Sequence, residues 1–199
     1  AKRFSVTPDE YRKSPIAIPW YIGHPANHYH ILKEGREMES TSICTVIPVN
    51  RPKRKLIYLP SKSATGYLSY CEEVGCEVWN VLTSVKEALY EPVGMWLPAN
   101  LREGGSEYVQ GVELPMDYNK TIPEGFELVE LPACTMMVFQ GEPYNDEEFE
   151  EAIGEVWEHI QKFNPEIYGY EWAPESAPRF QLAPMGYRGY IEARPIRKK

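Results

Sequence analysis

The chain has 199 residues, a formal charge of −8, 43% apolar and 25% charged residues, a composition that belongs to a folded domain rather than a disordered segment. Its acidity disfavours a direct grip on nucleic acid, which is made largely through Lys and Arg surfaces. No apolar run approaches the roughly 20 residues of a membrane span and no charged-then-apolar leader opens the sequence, so a cytoplasmic protein without membrane contact is expected.

In chain order, Thr7 before Pro8 caps a short polar helix within residues 1–14, because proline is tolerated in the first helical turn. Residues 15–54 read as a connector, with Pro15, Pro19, Pro25, Pro48 and Pro52 interrupting regular structure and one strand expected at 42–49. His24, His28 and His30 lie at short spacing, as imidazole ligands do, but no second ligand cluster accompanies them. Cys44, Cys71, Cys76 and Cys134 lack zinc-ribbon spacing and read as reduced thiols. No metal or other cofactor is expected.

From residue 55 onward a strand, helix, strand, strand pattern occurs twice. The first copy has strands at 55–60 and 65–70, a helix at 73–89, and strands at 93–97 and 108–114. The second has strands at 126–131 and 135–140, a helix at 146–163, and strands at 179–182 and 189–193. Leu59-Pro60 recurs as Leu131-Pro132, and Glu77-Val78-Trp79 recurs as Glu155-Val156-Trp157. Val78, Leu82, Val85 and Leu89 repeat at helical intervals, as do Phe149, Ile153, Val156, Ile160 and Phe163, so each helix has one apolar stripe. Asn145 with Glu148 predicts a capping box, and the acidic run 146–151 suits the positive end of the second helix. Pro165 and Gly169 supply its stop signal.

The stretch Ser106 to Pro115, the turn Pro123-Glu124-Gly125-Phe126 and Val129-Glu130-Leu131-Pro132, followed by the capped acidic helix, resembles the GyrI-like, or AraC-type effector-binding, domain. The resemblance covers about residues 55–197. It implies an α+β fold of two pseudo-twofold-related strand-helix-strand-strand units, with antiparallel sheet and a central ligand cleft, over domain 55–199. The wording Phe4-x-x-Thr7-Pro8-x-Glu10-Tyr11-Arg12 is similar to the close of an AraC-type helix-turn-helix region. That similarity makes residues 1–14 a remnant of a DNA-reading region upstream, and DNA a partner only through that absent region.

What the resemblance implies for function is a cleft for small hydrophobic, often cationic molecules, with aromatic walls and an interior acid. Aromatic faces attract cations and bury apolar area, and an acid in low dielectric compensates the charge. Glu192 is the first acidic candidate, since an acid inside an otherwise apolar strand needs a partner if it faces inward. It lies one place closer to Pro195 than the family pattern has it, and a one-place shift reverses the face. Gln181 stands where the family commonly has Glu, and Glu171 is the reserve acid, with Glu113 weaker. Trp96, Tyr108, Tyr118, Trp172 and Tyr190 are the expected walls; Trp79 and Trp157 read as core, and Met136, Met137 and Phe139 as sheet packing. No catalytic residue is assigned. The alternative is a stand-alone multidrug-binding protein or a hydrolase of cyclopropane-containing alkylating compounds, with an acid directing water. Oligomerisation is left open.

Overall fold

The computed structural model describes residues 42–75, 77–102 and 104–199. The expected helix-turn-helix remnant, the three histidines and Cys76 lie outside the described residues. Within Ser42–Lys199, a compact unit, the strands are β1 (Thr45–Arg51), β2 (Arg54–Leu59), β3 (Val93–Trp96), β4 (Tyr108–Leu114), β5 (Glu127–Leu131), β6 (Cys134–Gln140), β7 (Tyr170–Trp172), β8 (Arg179–Leu182) and β9 (Ile191–Lys198). They form one sheet in the order β1-β6-β9-β8-β3-β4-β2-β5, with β7 also on β9. Every pairing is antiparallel, and with three α-helices among the described residues the fold is α+β. β1 falls in the segment expected to be a connector, yet pairs with β6 along its length, from Thr45 opposite Gln140 to Arg51 opposite Cys134.

One face of the sheet is covered by helices. α1 (Tyr67–Val74) and α2 (Val78–Thr83) pack Tyr70, Val78 and Leu82 onto Ile57, Tyr108 and Val112. α3 (Phe149–Lys162) packs Val156 and Ile160 onto Phe139, Tyr190 and Ile196. The other face gathers Leu56, Val93, Met95, Leu131, Met136, Phe180 and Ala193 into a single apolar cluster. Strand alternation explains the division, since successive residues along a strand point to opposite faces.

The sequence expectation fails between residues 65 and 89. A helix replaces the expected strand at 65–70: Ser69 Oγ accepts the backbone N–H of Thr65 at 3.2 Å and of Gly66 at 3.3 Å, which closes the first turn of α1. Tyr70 alone in this helix is buried, so its short apolar pattern fits a strand or a helix equally well. The long helix expected at 73–89 is broken at Gly75, whose φ of 88° favours glycine. It ends again beyond Thr83, where the Thr83 and Ser84 hydroxyls donate to the carbonyls of Trp79 and Val81 at 2.8 and 2.7 Å, the local competition that shortens helices.

Elsewhere the boundaries move less. A 3-10 turn at Asp146–Glu148 precedes α3, and the Asn145 and Glu148 side chains bond each other at 3.1 Å instead of capping the backbone. The expected strand at 189–193 runs on to Lys198 as β9 because β7 pairs with its far half, Trp172 lying opposite Ile196. Among the described residues no helix is long and apolar enough to cross a membrane.

Candidate functional site

Between α1 and α3 the centre of the sheet is left uncovered. The register places Gln110, Gly94, Gln181 and Glu192 in one cross-strand row over β4, β3, β8 and β9. A buried polar row in the middle of this face is expensive unless its members bond one another, and Gln181 and Glu192 are joined through Tyr190. Gln181 Nε2 donates to the Tyr108 hydroxyl at 3.1 Å, and Gln181 Oε1 lies 2.9 Å from the Tyr190 hydroxyl. Gly94 provides the room: a Cβ there would stand 2.2 Å from the Tyr108 hydroxyl.

Glu192 is fully buried and faces the helices. Its Oε2 accepts the Trp157 indole N–H at 2.7 Å, and the Tyr190 hydroxyl lies 3.1 Å from the same oxygen. Its Oε1 accepts Arg194 Nε at 3.0 Å, with Arg179 Nη1 at 3.7 Å. A carboxylate surrounded by donors in this way is held by charge-assisted bonds. Tyr190 has one hydroxyl hydrogen for two acceptors, Gln181 and Glu192, and burial, then the Glu192 charge, push its pKa well above the usual phenol range. Burial does the same to Tyr108.

The cleft above this floor has two lobes. The larger, about 730 Å³, lies between Gly66 and Tyr67 of the α1 end and Ile153 and Trp157 of α3. The smaller, about 530 Å³, extends past Trp172 and Phe163. Trp96, Gln161, Arg179 and Arg194 belong to both. Trp96 is oriented by its indole N–H to the Thr65 carbonyl at 2.8 Å and meets Tyr108 edge-on with centroids 4.8 Å apart. The Arg179 guanidinium sits over the same indole, 4.0 Å from the ring centroid.

Of the candidates that the sequence offers, Glu192, Trp96, Tyr190 and Tyr108 meet around this floor and Trp172 lines the smaller lobe. Tyr118 instead packs against the α1–α2 cluster, its carbonyl accepting Lys55 Nζ at 2.7 Å. Glu171 bonds Arg197 at 2.6 Å on the surface, and that guanidinium holds its carboxyl below the usual range. Glu113 is buried in an ion cluster with Arg51 and Arg54. Trp157, expected in the core, is 43% exposed and reaches Glu192. Its place one residue past the Val156 stripe is the available signal, since that rotates it to the stripe's edge. Arg179 and Arg194 are absent from the sequence-based candidates; their alternation with Gln181 and Glu192 along β8 and β9 identifies them once Glu192 is faced inward.

Among the described residues no group of three potential metal ligands converges. No protein-family model and no curated protein sequence matches the chain. Among solved structures, SAV2435 bound to tetraphenylphosphonium matches at 14% identity with a TM-score of 0.52, over 77% of this chain and 94% of that one. A bacterial transcription regulation protein from Staphylococcus aureus MU50 matches at 13% identity and a TM-score of 0.46, over 77% of this chain and 98% of that one. The C-terminal domain of EcmrR matches at 11% and 0.45, over 79% and 99%. At these identities the likeness is one of fold, and this chain shares the fold of SAV2435.

Proposed function

We propose that this chain is a small-molecule-binding module of the GyrI-like type, serving as the effector-binding part of an AraC-type transcriptional regulator. The observation that carries the reading is the bonded Glu192 floor beneath an open cleft walled by Trp96, Trp157 and Tyr190. Concave sites with aromatic walls and a few convergent polar groups are what small-molecule recognition requires. The fold shared with a protein whose structure holds tetraphenylphosphonium agrees with it. A pseudo-twofold origin is supported by the strand order: β5-β2-β4-β3 on one side matches β1-β6-β9-β8 on the other, with β1 and β5 exchanged between the two repeats.

In this reading a flat, largely apolar ligand enters between α1 and α3. Regulation follows only if the ligand prefers one of two arrangements of the full protein. Binding is favoured over hydrolysis because Glu192, the acid a hydrolase would use to direct water, already receives Trp157, Arg194 and Tyr190.

The test is a titration with planar cationic, neutral and anionic aromatics, read by tryptophan fluorescence, with mass spectrometry of each recovered compound. Saturable quenching with every compound recovered intact supports a binding module. Hydrated products in place of the starting compounds mean a hydrolase, and absence of any saturable binding overturns the proposal.

A further inference from the structure

The cleft floor has more positive than negative charge. Arg179 and Arg194 line both lobes, and among the described residues the acceptor they share is Glu192. Two guanidiniums about one carboxylate leave a net positive charge around Glu192. Glu107, whose charge acts on Arg179, and Glu150 also line the cleft; both are exposed, so water and salt screen them more than the buried Glu192.

A cationic ligand meets two obstacles here. The face of Trp96 that would attract it already carries Arg179 at 4.0 Å, and the carboxylate that would compensate it is already bonded to Arg194 at 3.0 Å. For an anion the same arrangement is favourable. Arg194 uses its Nε on Glu192, which leaves its two terminal nitrogens for a ligand. Arg179 approaches Glu192 through Nη1 at 3.7 Å, beyond hydrogen-bond distance, with its guanidinium carbon over the Trp96 ring. Both side chains are about one-third exposed, at 36% and 32%, and both line the cleft. Guanidinium forks match a planar two-oxygen anion, and the walls beside them, Trp96, Trp157 and Tyr190, match a flat aromatic body.

We infer that the ligand of this cleft is a planar aromatic molecule bearing a carboxylate or equivalent planar anion, held by Arg179 and Arg194, with Glu192 serving to position those arginines. The inference rests on the small-molecule-binding reading and assigns the ligand's charge.

Three pyrene probes of matched shape test it: 1-pyrenecarboxylate, 1-pyrenemethanol and 1-pyrenemethylammonium, measured by tryptophan quenching and equilibrium dialysis. The carboxylate is expected to bind about tenfold or more tightly than the other two, the range of one charge-assisted hydrogen bond. Arg179→Gln removes most of that preference, read as the ratio of carboxylate to pyrenemethanol affinity. Glu192→Gln removes the competing negative charge while its Oε1 still accepts Arg194 Nε, and is expected to tighten the carboxylate. Tighter binding of the ammonium, or equal binding of carboxylate and alcohol, overturns the inference and leaves the binding module intact. If none of the three binds, both fall. Should Arg179→Gln fail to fold, loss of the carboxylate's advantage in wild type at high salt, with the alcohol unaffected, gives the same reading.

Discussion

The Trp157 indole nitrogen and a carboxylate oxygen of Glu192 lie 2.7 Å apart, which ties α3 to β9 at the cleft floor. Trp157→Phe keeps part of the ring and removes this donor. A hydrogen bond to a charged group contributes about 1.5–3 kcal/mol, and the lower end applies because Trp157 is 43% exposed. Urea unfolding should show that loss as a lower midpoint at unchanged slope.

Gly94 is the gap in the floor. Gly94→Ala places a methyl 2.2 Å from the Tyr108 hydroxyl and 3.2 Å from Gln181 Cγ, so the tyrosine must shift and its bond to Gln181 loosens. Overpacking of this kind costs about 1–3 kcal/mol. A Cβ added at Gly154 in α3 would meet nothing within 4 Å, and Gly154→Ala is expected to stabilise by about 0.5–1 kcal/mol, as Ala does over Gly in a helix. Thermal melts of the two variants should move in opposite directions.

On the far side of the α1–α2 unit, the fully buried Glu113 receives both Arg51 and Arg54, and Arg54 Nη1 also reaches the Pro52 and Pro132 carbonyls at 3.1 Å. Glu113→Leu leaves two arginine side chains, Arg54 fully buried and Arg51 12% exposed, without their counter-charge. Breaking one side of a buried pair costs about 3–5 kcal/mol, a large share of the stability of a domain this size. Chemical denaturation should place this variant well below Gly94→Ala.

Alkaline pH should unfold the protein through its buried phenols. Burial raises Tyr70, Tyr108 and Tyr190 above the ordinary value of 10.0. Where the folded value is the higher, the folded state holds its proton longer, so stability is intact below pH 10 and falls as pH rises above it. Tyrosinate absorbance should therefore rise in two stages, exposed rings first, with Tyr70, Tyr108 and Tyr190 titrating last together with loss of circular dichroism. A single smooth titration with the fold retained would contradict this.

Much of the fold was legible because it depended on local pattern. β4 at Tyr108–Leu114 and β8 at Arg179–Leu182 fall where alternation and flanking prolines put them, and α3 follows its apolar stripe. Residues 65–89 defeat the same reasoning because their elements are short: α1 has eight residues and α2 six, too few turns for periodicity to separate a helix from a strand.

The sequence by itself determined that β9 carries an acid among apolar residues and that aromatics cluster near the strand ends, since both follow from residue identity and a two-residue period. Only the tertiary structure decided that Glu192 faces the helices, because face depends on register against β8 and β6 and a shift of one residue inverts it. It alone decided the charge of the floor as well. Arg179 and Arg194 lie on different strands, and their meeting at Glu192 depends on the pairing of Gln181 with Glu192, a tertiary contact that no local pattern encodes.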